Sequence, residues 1–172
     1  MNDNVVLIAK SYLNKYEKKN NSGFIDAEFE KKMKAVGWGV GQSWCAYFTE
    51  LVWKEAFKVD AKISVEYYQS LDKLFSGSAT ATFANFSHSS LFKTGGTPKI
   101  GALSVWKHGN SWKGHIGIVS EIIDATTYKC IEGNTNAAGG REGIQVAEKV
   151  RKTGQPFKAN GLNLIGFVYL PQ

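Results

Sequence analysis

One cysteine lies where a loop changes into a helix, a position at which a thiol can act as a nucleophile. Cys45 stands in the segment Gly41–Phe48, GQSWCAYF, which follows a glycine-rich loop and opens an amphipathic pattern. Near the first turn of a helix, the sulfur would meet unpaired N–H groups and the positive end of the helix dipole. Both favour the thiolate, which is the nucleophilic form. The alternative is a buried structural cysteine, a common fate of this residue type.

Among the three histidines, His115 has the surroundings that point most clearly to chemistry. It lies in the apolar segment Gly114–Val119, GHIGIV, where the glycines leave space around the imidazole. His88 and His108 lie in polar, loop-like surroundings. A lone strand histidine is usually structural, so the case for His115 depends on what a neighbouring strand brings beside it.

A predicted hairpin over residues 115–134 supplies that neighbouring strand. Because side chains alternate between the faces of a strand, Glu132 and Asn134 share one face of its second strand. With Val119 placed opposite Glu132, His115 is diagonal to Asn134, at a distance that longer side chains can span. The hairpin therefore predicts one polar face that holds a histidine and two groups able to orient it.

These residues supply the parts of a nucleophilic catalyst. Cys45 is the nucleophile, His115 the base, and Glu132 or Asn134 the group that fixes the tautomer of the base. Gln42 lies in the loop before the cysteine, and its amide can hold an oxyanion together with the backbone N–H of Cys45. Taken singly, Gln42 could be a solvated loop residue, Glu132 a surface carboxylate and Asn134 a turn former. Their combination favours a cysteine hydrolase.

Helical spacing dominates the first half of the chain, and strand patterning dominates the second. The apolar periodicity predicts helices over residues 3–16, 26–36, 43–56 and 64–77, with Ser43 as the cap of the third. Residues 79–97 are rich in Ser, Thr and Gly and are predicted to form a long, irregular connection. Strands are predicted at Ala102–Lys107, His115–Ile122, Tyr128–Asn134, Ile144–Arg151 and Leu164–Leu170. We therefore expect one α+β domain over residues 1–172, with N-terminal helices packed on an antiparallel sheet of about five to six strands.

Composition limits the classes of partner. The chain has 172 residues and a formal net charge of +6, which suits an acidic partner such as nucleic acid, an anionic membrane surface or the bacterial wall. It contains no zinc-finger spacing, ribonucleoprotein motif or phosphate loop, so nucleic acid is not the predicted partner. Two cysteines are too few for a disulfide framework. Cys130 lies in the middle of a predicted strand and is expected to be a core residue.

Three blocks of the sequence resemble the CHAP family, the cysteine, histidine-dependent amidohydrolases/peptidases of bacterial and phage wall hydrolases. The blocks are Trp44–Phe48 (WCAYF), Gly114–Val119 (GHIGIV) and Glu132–Asn134 (EGN), within a resemblance that runs from Gly41 to Pro171. It implies a papain-like fold, with the cysteine on a helix packed against the sheet that carries the histidine. By family role, Cys45 is the nucleophile, His115 the general base, and Glu132 and Asn134 orient the imidazole.

The same resemblance bears on metals and cofactors. Some CHAP members bind calcium through an acidic loop near the cysteine. Here only the scattered residues Asp26, Glu28 and Glu30 occur in that region. We therefore predict no metal and no cofactor.

The resemblance implies a peptidoglycan hydrolase that cuts an amide bond in the stem peptide or the N-acetylmuramoyl-L-alanine link. Trp44 and Trp112 are expected to line the substrate groove, whereas Trp53 is expected in the core. Two alternatives stay open. One is an amidase or acyltransferase that uses the same residues on an amide outside the wall, and the other is a catalytically silent module that binds the wall.

The N-terminal segment MNDNV lacks the basic start and long apolar run of a signal peptide. No stretch of the sequence is long and apolar enough to span a membrane. We therefore expect a chain made in the cytoplasm that acts on the wall or in the periplasm after release or delivery by another system. Such a protein is a phage endolysin released with a holin, or a secreted lytic effector with a cognate immunity protein.

Overall fold

Helices precede strands in the computed structural model, which describes residues 1–135 and 143–171. The described helices are α1 (Asn2–Ser11), α2 (Ala27–Ala35), α3 (Cys45–Val59), α4 (Val65–Leu74) and α5 (Ala79–His88), with a short 3-10 turn at Lys19–Asn21. The described strands are β1 (Thr94–Gly95), β2 (Leu103–His108), β3 (Gly114–Ile122), β4 (Thr127–Thr135), β5 (Gln145–Lys152) and β6 (Leu162–Val168). The predicted α+β class is confirmed. Among the described helices, none has both the length and the hydrophobicity needed to cross a membrane.

The six described strands form one antiparallel sheet in the order β1-β6-β2-β3-β4-β5. Strands β2 to β5 follow one another as a meander, and β6 returns across the sheet to pair with β2. Side chains at matching heights on β2, β3, β4 and β5 therefore become neighbours, although they are far apart in the sequence.

Helix α3 is the central helix and packs against β3 and β4. Its sequence, CAYFTELVWKEAFKV, is buried nearly all round, as expected for a helix enclosed by other elements. The isoleucines Ile116, Ile118 and Ile131 lie in the same core as the helix. Trp53 is fully buried and donates a hydrogen bond of 3.2 Å to the carbonyl of Gly101, so the prediction that it belongs to the core is confirmed.

The opposite face of the sheet has a smaller core of its own. Trp106, Val119, Tyr128, Cys130 and Phe167 are buried there. Cys130 is fully buried and unpaired, which confirms the prediction that it is a core residue. Both faces of the sheet thus carry buried side chains, and polar groups placed among these residues are shielded from water.

The register of the central hairpin differs from the predicted one by two residues. Val119 lies opposite Cys130, not opposite Glu132, and Ile118 lies opposite Ile131. The pairing also shifts between Val119 and Glu121. A bulge of this kind adds a residue to one strand, and counting alternating residues cannot reveal it. Because the difference is an even number, the predicted faces are kept.

Two further predictions of local structure are wrong. Residues 79–97 were expected to be irregular, but they contain α5 and the short strand β1. The buried residues Ala79, Thr82 and Phe86 have helical spacing, yet the Ser, Thr and Asn content of this segment is unfavourable for a helix. The first helical residue of α3 is Cys45, and Trp44, not Ser43, is its cap.

Candidate active site

Cys45 is the first residue of α3, so its thiol lies at the amino end of the buried central helix. The first N–H groups of a helix have no partner within the helix, and no acceptor among the described residues binds the N–H of Cys45. The side chain is 6% exposed. The helix start therefore offers a nearly buried sulfur with a free backbone donor beside it.

His115 lies at the beginning of β3, directly across from Trp106 on β2. It is fully buried, and its ring stacks on the Trp106 indole with centroids 5.8 Å apart and planes 29° from parallel. Gly114 makes this close packing feasible, because a Cβ there would come within 2.6 Å of the Trp106 carbonyl oxygen. Strand pairing and stacking together restrict the position of the imidazole.

Glu132 lies on β4 beside His115 and is fully buried. Its Oε2 is 2.8 Å from Nε2 of the histidine. Gly117 leaves room for the carboxylate, since a Cβ at that position would lie 2.6 Å from Cγ of Glu132 and 2.7 Å from Sγ of Cys130. Gly117 thus belongs to the site because the absence of a side chain leaves space for Glu132.

Arg151, on β5, completes this row of side chains. Its Nε donates to Oε1 of Glu132 and its Nη2 donates to Oε2, both at 2.6 Å. The guanidinium also lies 4.8 Å from the centre of the Trp106 ring, a cation–π arrangement. Trp106 therefore contacts both His115 and Arg151, and Glu132 hydrogen-bonds to both.

Sequence reasoning missed Arg151. A buried carboxylate needs a compensating cation, and Lys149 and Arg151 alternate on the strand after Glu132, which is the signal that was available. The β4–β5 register alone does not choose between them. It pairs Cys130 with Lys149 and Tyr128 with Arg151, which places Lys149 nearer to Glu132 along the strands. It is nevertheless the guanidinium of Arg151 that bonds to the carboxylate.

The charges of the site are strongly coupled. Burial alone would lower the pKa of His115, but the negative charge of Glu132, its hydrogen bond to the ring and the nearby Cys45 side chain raise it to about 9. Burial alone would raise the pKa of Glu132, whereas His115 and Arg151 hold it well below its usual range. At neutral pH the site therefore contains an imidazolium, a carboxylate and a guanidinium.

The two ring nitrogens of His115 have different surroundings. An ionised Glu132 can only accept a hydrogen bond, so Nε2 donates to it. Nδ1 is buried and has no hydrogen-bond partner of normal geometry among residues 1–135 and 143–171. Helix α3 packs against β3, and the Cys45 side chain at its start is close enough to the ring to contribute to the raised pKa of His115. Nδ1 is thus the nitrogen available for proton exchange with the sulfur.

Asn134, the second predicted orienting residue, does not bond to the imidazole. It is 2% exposed and has a positive φ of 51°, where the β4–β5 pairing is irregular. In the described part of the chain, Nε2 of His115 is bonded to Glu132 and Nδ1 has no partner. The structure brings Glu132, not Asn134, to the histidine, and a role for Asn134 stays a prediction.

Gln42 and Trp112 lie in loops that flank these elements. The Gln42 side chain accepts a hydrogen bond of 2.9 Å from the N–H of Gly39, which leaves its amide nitrogen as a donor. Trp112 is 75% exposed in the loop between β2 and β3, and its carbonyl accepts from Thr80 at 2.9 Å. The oxyanion role of Gln42 and the groove role of Trp112 stay predictions.

Trp44 was expected to line the substrate groove, and this expectation is wrong. Its side chain is fully buried, packs against Phe24, Phe29 and Phe48, and donates its indole N–H to Glu17. Exposure was expected because Trp44 follows a glycine-rich loop and directly precedes the nucleophile. Here, however, the indole packs into the core among these three phenylalanines.

The helices packed on one antiparallel sheet, with the cysteine at a helix start and the histidine on a strand, define a papain-like α+β domain. The CHAP domain family model matches residues 36–134, more than half of the chain. The chain therefore belongs to the CHAP domain family, which confirms the resemblance seen in its sequence. Membership implies a peptidoglycan hydrolase of the amidase or peptidase type. Comparison with curated proteins gives no significant match.

Proposed function

We propose that this CHAP domain hydrolyses an amide bond of peptidoglycan with Cys45 as the nucleophile. The bond lies in the stem peptide or joins the peptide to muramic acid. The observation that carries the proposal is the arrangement of His115. Its Nε2 is bonded to a buried carboxylate at 2.8 Å, while Nδ1 is left without a partner next to the thiol of Cys45. A histidine held in this way acts as the base and acid of a nucleophilic catalyst.

The first half of the proposed reaction forms a thioester. The Cys45 thiolate attacks the amide carbonyl carbon, and the carbonyl oxygen becomes an oxyanion near the free N–H of Cys45 and the Gln42 amide. His115, protonated at neutral pH, then gives its Nδ1 proton to the leaving nitrogen as the carbon–nitrogen bond breaks.

The second half of the reaction releases the acyl group. A water molecule gives a proton to the now neutral Nδ1 and attacks the thioester carbonyl. The carbon–sulfur bond breaks and releases the Cys45 thiolate and a carboxylic acid, which loses its proton to the solvent, while His115 is again protonated. Glu132 keeps its negative charge throughout and stabilises the imidazolium in both halves, supported by Arg151.

The experiment that tests the activity is digestion of purified sacculi followed by mass spectrometry of the soluble muropeptides. Sacculi with different stem-peptide and cross-bridge chemistry are each incubated with the protein and with a heat-inactivated sample. Hydrolysis of an amide adds one water to the products, so their masses identify the bond. Release equal to that of the heated sample from every wall type would overturn the proposal and favour an amide outside the wall or a binding-only role.

We further propose that the protein acts on the wall as a phage endolysin or as a secreted lytic effector. A net charge of +6 supports this setting, because it favours adsorption to the anionic envelope. The protein would be made in the cytoplasm and reach its substrate through a holin-dependent lesion or a secretion system. Expression with and without a periplasmic targeting sequence tests this: lysis only with targeting supports the proposal, and equal growth of both cultures contradicts it.

A further inference from the structure

An open cleft of about 530 Å³ lies on the face of the sheet that carries His115 and Glu132. Its floor contains Trp106 and Arg151, and its wall contains Lys152, Phe157 and Lys158. We call this the basic cleft. A volume of this size falls within the range of ligand-binding clefts in proteins.

The basic cleft is continuous with the candidate active site through two side chains. Trp106 stacks on His115, and Arg151 bonds to Glu132 at 2.6 Å. A ligand seated against this floor would therefore contact the residues that hold the histidine and its carboxylate.

The charge of the basic cleft has one sign. Arg151, Lys152 and Lys158 line it, and none of the described residues that line it is acidic. Nε and Nη2 of Arg151 are occupied by Glu132, and no acceptor among the described residues bonds to Nη1. Lys152 and Lys158 have no carboxylate partner among the described residues, and Nη1 of Arg151 keeps its donors, so the cleft is the complement of an anionic ligand.

Apolar surface accompanies this charge. The Phe157 side chain is 61% exposed where it lines the cleft, and Leu162 and Leu164 lie beside Trp106. An exposed aromatic ring next to lysines suits a ligand that combines carboxylates with aliphatic segments, as acidic peptides do. A phosphate polymer presents charge but little apolar surface, so it fits this lining less well.

The wall of the basic cleft is fixed by hydrogen bonds within the protein. Asn163 accepts from the N–H of Lys158 at 2.7 Å and donates to the carbonyls of Lys158 and Gly161 at 2.9 and 3.0 Å. Gly109 is bonded to the same wall through the carbonyl of Gly161 at 2.9 Å. Because the wall is formed without a ligand, binding does not have to order it.

From these contacts we infer that the basic cleft is a subsite for a carboxylate-bearing segment of the stem peptide. The inference rests on the proposed function, since it names the part of the wall that the same site holds. It predicts that the protein prefers stem peptides with free carboxylates to peptides in which these groups are amides.

The test measures binding separately from turnover. Calorimetry is done on full-length Cys45→Ala protein with a synthetic stem tetrapeptide carrying free carboxylates, and with the same peptide fully amidated. The cleft variant Lys152→Gln/Lys158→Gln is compared with Lys19→Gln/Lys62→Gln, a matched loss of two exposed lysines elsewhere. Circular dichroism verifies that each variant is folded.

The inference predicts that the free-carboxylate peptide binds about tenfold more tightly than the amidated peptide. The cleft variant weakens its binding by a similar factor, and the matched control does not. Absent binding, equal binding of both peptides or equal weakening by both variant pairs overturns the inference.

These outcomes are independent of the hydrolase proposal. If the wild type releases no muropeptides but binds the two peptides as predicted, the proposed hydrolase function is wrong and the basic cleft is still a peptide-binding site. If muropeptides are released and the cleft variants keep both their peptide affinity and their KM, the cleft fails and the hydrolase stands.

Discussion

Arg151 donates two hydrogen bonds of 2.6 Å to the carboxylate of Glu132, which also accepts one of 2.8 Å from His115. Glu132 is fully buried, and a buried carboxylate without partners would take up a proton. Arg151 therefore keeps Glu132 ionised and holds both of its oxygens in place. We regard it as a positioning residue that acts on His115 through Glu132.

Replacement of Arg151 tests this positioning role. Arg151→Met leaves a buried carboxylate without its cation, and we expect a loss of unfolding free energy of about 3–5 kcal/mol. We expect kcat/KM for muropeptide release to fall about 100-fold, because the carboxylate no longer fixes the imidazole. Urea unfolding and the release assay measure the two effects.

The matched variant Arg151→Lys keeps the charge but lacks the planar fork of donors. It should regain part of the stability and part of the activity. A purely structural residue would change stability while leaving the pH dependence of kcat/KM unaltered. A wild-type pH profile in folded Arg151→Lys and Arg151→Met proteins would contradict the positioning role.

Glu132→Gln separates the charge of this residue from its shape. The amide oxygen can still accept from Nε2 of His115, but the negative charge that raises the pKa of the histidine is lost. We therefore expect the pKa of His115 to fall, so that the imidazolium loses its proton at lower pH. NMR titration of the ring protons of His115 measures this directly.

Glu121→Gln is the matched control, because Glu121 is a carboxylate of the neighbouring strand β3 that is paired with Lys129 at the surface. It should leave the His115 titration unchanged and alter stability by no more than about 0.5 kcal/mol. An unchanged His115 titration in Glu132→Gln would show that the carboxylate does not set the charge of the ring.

The dependence of stability on pH follows from the same pair. The pKa of Glu132 is depressed in the folded state, so its contribution is present above its ordinary value of 4.5 and is lost as the pH falls below it. The pKa of His115 is raised from 6.5 to about 9, so its contribution is complete below 6.5 and is lost as the pH rises through 9.

Urea unfolding at a series of pH values from about 3 to about 10 measures this dependence. The contribution of the pair should be complete only between pH 4.5 and 6.5. Glu132→Gln should flatten the alkaline slope, because the histidine then loses the charge that raises its pKa. An alkaline slope of equal size in wild type and variant would contradict the assignment to His115.

Gly117→Ala tests whether the absence of a side chain at this position shapes the site. The new methyl group would lie 2.6 Å from Cγ of Glu132 and 2.7 Å from Sγ of Cys130, and neither is free to move away in a buried sheet. We expect a loss of about 1–3 kcal/mol of stability and about 100-fold in kcat/KM as Glu132 is displaced.

Gly96→Ala is the control for this change, because a Cβ there meets no atom within 4 Å. It should behave as wild type in both thermal unfolding and muropeptide release. Full activity of Gly117→Ala would mean that Glu132 tolerates displacement and is not needed to orient the histidine.

The sequence predicted the elements that bring Cys45, His115 and Glu132 together, since helix starts and strand alternation are local patterns. It did not predict Arg151, because the strand register places Lys149 nearer to Glu132, and the contact with Arg151 depends on the path of a long side chain. Trp44 was misplaced for a related reason: its burial depends on Phe24 and Phe29, which come from a distant part of the chain.

Helix α5 shows a different limit. Its Thr, Asn and Ser residues have low helical propensity, and tertiary packing of Phe86 against Trp53 and Phe92 stabilises it. Helical propensity is a local property and does not predict such long-range packing. The β3–β4 register differed from the predicted one by two residues for another reason. The shift in pairing next to Val119 has no clear sequence signature.

The most direct test of the central claim compares muropeptide release by three proteins: wild type, Cys45→Ala and Cys130→Ala. Cys130 is the matched control because it is the other cysteine of the chain and is fully buried in the smaller core of the sheet. The account predicts release by wild type, release by Cys130→Ala in proportion to its folded fraction, and none by Cys45→Ala. Release by folded Cys45→Ala at the wild-type rate would contradict it.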